Sequence, residues 1–372
     1  VDLRLIDHHC HAVASGRLDR PAFESFLTES DRSPPPGRST FDSLLGVAVR
    51  RRCAPALGLA AGADPAAYLD RRAELGPEEA NRRLLSAAGL ERLLVDTGLD
   101  APGLFGREAL GRLSGAITHE VVRLESVAEE TALTGVEAAR FGDAFTAVLA
   151  DRARGAVGLK SIVAYRHGLD FDPRPPPRAE LARAAGRWLR REDGRREDGR
   201  RDDGRLDDIV LLRHLLWEAV ATGLPLQLHT GFGDPDLDLH RCDPSLLTPF
   251  LRACAGTGAR VVLLHCYPFH RHAAYLANVF PHVYLDLGLT IPHVGPRAAA
   301  VLAETLELAP FHKLLYSSDA YGLAELYLAA ADEFRDALAE VLTAQGITGR
   351  ERDRIAEMMG SGTARDVYAL AE

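Results

Sequence analysis

Three histidines and one cysteine occupy four consecutive positions in "IDHHCH", residues 6–11 of a 372-residue chain. Imidazole nitrogens and thiolates are common ligands of zinc-like ions, so their spacing decides the chemistry. No C-x-x-C pair is present, which rejects a zinc finger, and C-x-x-C-H is absent, which rejects haem attachment. Side chains alternate along a strand, so Asp7, His9 and His11 should share one face, with His8 and Cys10 on the other. The pattern predicts two imidazoles, His9 and His11, aimed at one point, with the Cys10 thiol in an apolar layer.

A lone His-x-His is as often structural as ligating. Here further donors follow at the ends of apolar runs: His229 in "LQLHTGFGD", His265 in "VVLLHCYP" and Asp319 in "LLYSSDA". Four imidazoles and a carboxylate brought together would bind a zinc-like divalent ion. Lys160 in "GLKSIVAYRHGL" has three readings: a carboxylated side chain bridging two ions, an ammonium near a substrate carboxylate, or the partner of a neighbouring acid. Arg166 suits a substrate carboxylate by bidentate pairing, and His270 is a second substrate-binding candidate. Asp234 before Pro235 reads equally well as a turn starter, and Glu325 as a first-turn helix residue. Arg123 and Glu125 are inward-facing candidates or a buried ion pair.

Positioning these groups takes a repeating scaffold. Eight short β-rich runs, at 4–11, 92–98, 119–125, 157–165, 225–231, 260–266, 282–288 and 313–319, alternate with helical periodicity. That order predicts an α/β fold, a (β/α)8 TIM barrel; a doubly wound open sheet is the competing architecture. The candidate residues close the strands, where barrel active sites collect, and this favours the barrel. Such a barrel needs about 250 residues. The surplus is expected in a helical cap at 12–90, between strands 1 and 2, and in "REDGRREDGRRDDGR" at 191–205, a solvated charged loop, all within one domain over 1–372. A net charge of −9 argues against nucleic-acid or anionic-membrane binding. No apolar run is long enough for a membrane span and no signal peptide is legible. Five cysteines without regular spacing fit reduced thiols in a cytoplasmic protein.

With His-x-His on strand 1, Lys on strand 4, His on strands 5 and 6 and Asp on strand 8, the chain resembles the amidohydrolase superfamily. More narrowly, "VDLRLIDHHCH", "GLKSIVAYRHGL", "PLQLHTGFGDPDLDL", "VVLLHCYPFHR" and "APFHKLLYSSDA" resemble the FluG-type amidohydrolase domain. The similarity runs from strand 1 to strand 8 and is loose over 12–90. The glutamine-synthetase-like domain often fused to that family is absent from this sequence, which bears on a glutamine-linked substrate more than on the metal site. The resemblance implies that His9, His11, His229 and Asp319 hold the ion. Asp319 would accept a proton from water and pass it to a leaving amine, and His265 would take a second metal or stabilise an oxyanion. The implied activity is metal-dependent hydrolysis of a C–N bond in a small acidic amide, such as a γ-glutamyl amide or amine conjugate, with one or two ions, zinc first among them. A decarboxylase of the same fold and a non-catalytic signalling barrel are the alternatives. The expected partner is a small-molecule substrate, with a homo-oligomer through the cap also open.

Overall fold

The computed structural model describes residues 3–99, 101–190 and 204–371. Seven parallel strands follow one another around a curled sheet: β1 (Leu5–Cys10), β2 (Leu90–Asp96), β3 (Ile117–Arg123), β4 (Ala156–Ser161), β5 (Leu226–Thr230), β6 (Val261–His265) and β7 (Val283–Leu285). Their outward residues, such as Leu93, Val95, Leu159, Leu228 and Leu263, pack under the surrounding helices. Their inward residues Ile6, Leu94, Val121, Val262 and Leu264 meet Val367 and Tyr368, from or beside the helix Thr363–Tyr368. That helix plugs the end where the strands begin: Arg260 donates to Val367 O and Arg365 pairs with Glu91.

The eighth position departs from expectation. Residues 314–319 form no regular strand, yet they lie between β7 and β1. Leu315 N donates to Leu285 O, His8 N to Tyr316 O and Asp319 N to His9 O. The ladder is broken because its partner β1 is itself irregular and because Asp319 has φ +54°. The ring is nevertheless closed, as a TIM barrel requires.

A second correction concerns β1. Asp7 pairs with Leu93 and Cys10 with Val95, so three steps on β1 match two on β2. One extra residue is a β-bulge, which suspends strict alternation. His8 and His9 both turn inward as a result. Asp7 leaves the His9/His11 set and accepts from Ser318 N at 3.0 Å and Ser318 Oγ at 2.5 Å. Cys10 does enter the apolar layer. The run expected at 157–165 also stops early, at Ser161, and Val163–Arg166 is a short helix.

Between β1 and β2 the chain is helical, including Leu44–Arg52, Pro65–Leu75 and Pro77–Ala87. Asp64 caps the second of these by accepting from Ala66 N, with Pro65 at the first helical position. The charged repeat at 191–205 lies outside the described residues except for its last two positions. All five cysteines are unpaired and buried. Among the described residues no helix is long and apolar enough to cross a membrane.

Candidate metal centre

The strand ends converge. His9 Nε2 and His11 Nε2 lie 3.1 and 3.2 Å from the same oxygen, Asp319 Oδ1, and His265 Nε2 lies 3.6 Å from Oδ2. The His229 and His265 rings are 4.7 Å apart, and Lys160 Nζ is 3.3 Å from His9 Nε2. Ligand atoms of His9, His11 and Asp319 fall within 4.8 Å of one another. All of these residues line a cavity of about 800 Å³ opening at the strand ends. Four backbones here adopt left-handed angles without glycine, at His265, Cys266, Leu289 and Asp319. Each costs on the order of 1–3 kcal/mol, a strain that tends to gather where side-chain aim matters.

Hydrogen bonds behind the rings settle where their protons are. Gln227 Nε2 donates to His8 O at 2.7 Å and Tyr368 Oη at 2.9 Å, so Gln227 Oε1 is left to accept from His9 Nδ1 at 2.9 Å. His11 Nδ1 faces Asp96 O at 3.4 Å and His265 Nδ1 faces Gly288 O at 3.3 Å. Carbonyl oxygens only accept, so each Nδ1 carries hydrogen and Nε2 is the atom each ring turns to the centre. Burial holds His9 down, to about 3, with Lys160 adding to the effect, and lowers His229 and His265. These three imidazoles are therefore neutral at ordinary pH. Ring nitrogens and a carboxylate face one another with Lys160 as a donor beside them, and His229 Nε2 is buried without a hydrogen-bond partner among the described residues. Such a donor set fits a divalent ion.

Three groups that complete the site gave no sequence signal. Asp96, at the end of β2, takes Arg123 Nε and Nη2 on one oxygen at 3.1 and 2.6 Å. Burial would raise the Asp96 carboxyl, but the Arg123 guanidinium beside it overrides burial and holds it low. Gln227 orients His9, as above. Asp286, just past β7, accepts from His265 N at 2.6 Å and sits 2.8 Å from His8 Nε2. Burial brings Lys160 down to about 8, against the pull of Asp96 and Asp319.

Other expected residues lie elsewhere. Arg123 does form a buried ion pair, but with Asp96. Glu125 instead accepts from Ser161 Oγ and Ile162 N. Arg166 reaches the cavity wall but is held by Glu129 at 3.1 Å. His270 stacks on Tyr267 and contacts Glu304 at 2.8 Å, away from the cavity lining, because its helix starts beyond the strand end. Glu325 does open a helix, Ala324–Ala344, but is fully buried against Arg72 and Tyr68.

Comparison with known proteins shows which family and fold the chain shares. Protein fluG of Emericella nidulans is 36% identical over 208 residues, which is 54% of this chain and 24% of that protein. The match thus spans about a quarter of the relative's length. The crystal structure of a proposed metal-dependent hydrolase from Lactobacillus casei superposes with a TM-score of 0.86 at 30% identity, covering 99% of this chain and 95% of that one. Uronate isomerase from Thermotoga maritima shares the fold at a TM-score of 0.65 and 14% identity, over 99% and 95% of the two chains. A family model described as amidohydrolase matches residues 6–370, so the chain belongs to the amidohydrolase family.

Proposed function

We propose that this protein is a metal-dependent hydrolase that cleaves the C–N bond of a small acidic amide, a γ-glutamyl amide or amine conjugate being the substrate type its fluG-like motifs suggest. The observation that carries the reading is the convergence of the His9, His11 and His265 Nε2 atoms on the Asp319 carboxylate. His9, His11, His229 and Asp319 would hold the ion, and this nitrogen-rich set suits zinc. When bound, a divalent ion supplies Lewis acidity and brings a coordinated water to a pKa of about 7. Asp319, with its second oxygen free of His9 and His11, takes a proton and delivers it to the departing amine. His265 acts as an acceptor or ligand: with Nδ1–H committed to Gly288 O, its neutral ring has no hydrogen to offer an oxyanion. Lys160 and Arg123 orient the substrate from the β3/β4 side.

Elemental analysis of protein purified without added metal, paired with a screen for amine release from amides, tests this. About one equivalent of zinc and chelator-sensitive amine release are expected; two equivalents would mean a carboxylated Lys160 bridging a pair. Full activity in metal-stripped protein, or carbon dioxide released instead of amine, would refute it.

The bond from Gln227 to His9 gives a further expectation. Gln227→Leu keeps the bulk but frees the His9 ring to turn, and metal affinity should fall about 10–100-fold. Competition against a chromogenic chelator measures this directly, and unchanged affinity would remove Gln227 from the account.

A further inference from the structure

Arg123 is more than the partner of Asp96. Asp96 Oδ2 takes Nε and Nη2, and Asp96 Oδ1 is occupied by Gly98 N at 2.9 Å. Among the described residues no protein group accepts from Nη1, although Arg123 is only 8% exposed and lines the cavity. The guanidinium is also clamped. A Cβ on Gly98 would come within 2.5 Å of Arg123 Cβ, Cδ and Nε, so only glycine leaves room for the side chain in its present place. Lys160 is the register partner of Arg123 on the next strand, is 2% exposed and has no carboxylate within ion-pairing distance among the described residues. Two buried cations thus stand side by side in the cavity lining, and Asp96 is ion-paired with Arg123 alone among the described residues.

Arg166, the residue the sequence suggests for this task, is poorly placed for it. Its Nη2 is committed to Glu129, and its Nε and Nη1 are buried without hydrogen-bond partners among the described residues. Glu129 Oε1 also accepts from Leu206 N, so that ion pair belongs to the outer wall.

We infer that Arg123 Nη1 and Lys160 Nζ form the subsite for the substrate's carboxylate, fixed by the Asp96–Gly98 clamp beside the metal centre. The inference rests on the hydrolase reading and specifies its substrate: an amide whose carboxylate lies a few bonds from the scissile carbonyl. A buried guanidinium held in one orientation loses little freedom when it pairs with an anion, which makes such a group selective as well as attractive.

Calorimetry on the protein as purified tests the subsite, with glutarate and its neutral diamide, glutaramide, as probes. Glutarate should bind about ten- to a hundredfold more tightly than glutaramide. Arg123→Gln should erase most of that preference without changing metal content, and Arg123→Lys should restore part of it. If Arg123→Gln does not fold, Gly98→Ala serves, because the added methyl displaces the guanidinium and should erase the same preference. A glutarate preference that survives these variants would place the anion on the metal or elsewhere, and its absence in the parent protein would remove the subsite altogether. Failure of the hydrolase reading looks different: no bound metal or no amine released, with the glutarate preference intact.

Discussion

Replacing Asp319 with asparagine should strip the centre of its ion and lower amide hydrolysis by about 10³-fold, within the range a positioned proton acceptor supplies. Asparagine is the informative choice because residue 319 sits at φ +54°, a region that asparagine tolerates, so the backbone need not move. The variant differs in one further respect. In the parent, Oδ1 lies 3.1 and 3.2 Å from the Nε2 atoms of His9 and His11, and the neutral His9 ring offers it a lone pair. An amide nitrogen in its place would donate to one of them. Metal-free Asp319→Asn should therefore melt above the metal-free parent, by about 1 kcal/mol of added stability, while the metal-loaded parent outranks both. Metal content, amine release and thermal melting with and without chelator decide it. A variant that keeps its ion and turns over within tenfold of the parent would end the assignment of Asp319 to both roles.

Arg72→Ala should cost about 3–5 kcal/mol of stability, because it strands a charge in the core. Glu325 is fully buried at the start of Ala324–Ala344 and accepts from Arg72 Nε at 2.8 Å and Tyr68 Oη at 3.1 Å. Arg72 Nη2 in turn donates to Asn81 Oδ1, and Asn81 Nδ2 to Ala14 O. One polar chain thereby links the final long helix, the helices between β1 and β2, and the loop leaving β1. Removing both charges should be milder than removing one: Arg72→Met with Glu325→Leu leaves no orphan, and much of the loss should return. Urea unfolding of the single and double variants measures the coupling. Additive losses would show that the ion pair has no energetic link to its burial.

The metal-ligand candidates were legible because each closes a run of apolar residues, and a barrel brings strand ends to one rim. His229, His265 and Asp319 are of this kind, and so is Lys160. Asp96, Gln227 and Asp286 were not, since nothing local distinguishes a strand carboxylate or amide that will meet a partner on another strand. Arg123 was seen with the wrong acid: Glu125 is nearer in sequence, but Asp96, which pairs with Val121 on the neighbouring strand, is the acid its guanidinium reaches. Tyr368, from the last helix, reaches Gln227 and His8 across the barrel interior. No periodicity in a helix reports what lies at the far end of the cylinder it plugs. His270 lies off the cavity lining for a simpler reason: closeness in sequence to a strand end does not survive the turn into a helix.

The doubled step in the first strand has a consequence for relatives of this chain. Ile6 already points to the interior, so an unbroken two-residue rhythm from there would send His9 out among the helices and leave His8 in its stead. A chain that kept the same letters but paired them without the extra residue would still look competent in an alignment while having its first imidazole aimed away from the ion. Counting from the last inward apolar residue, rather than matching the histidines, is what separates a working copy from a silent one.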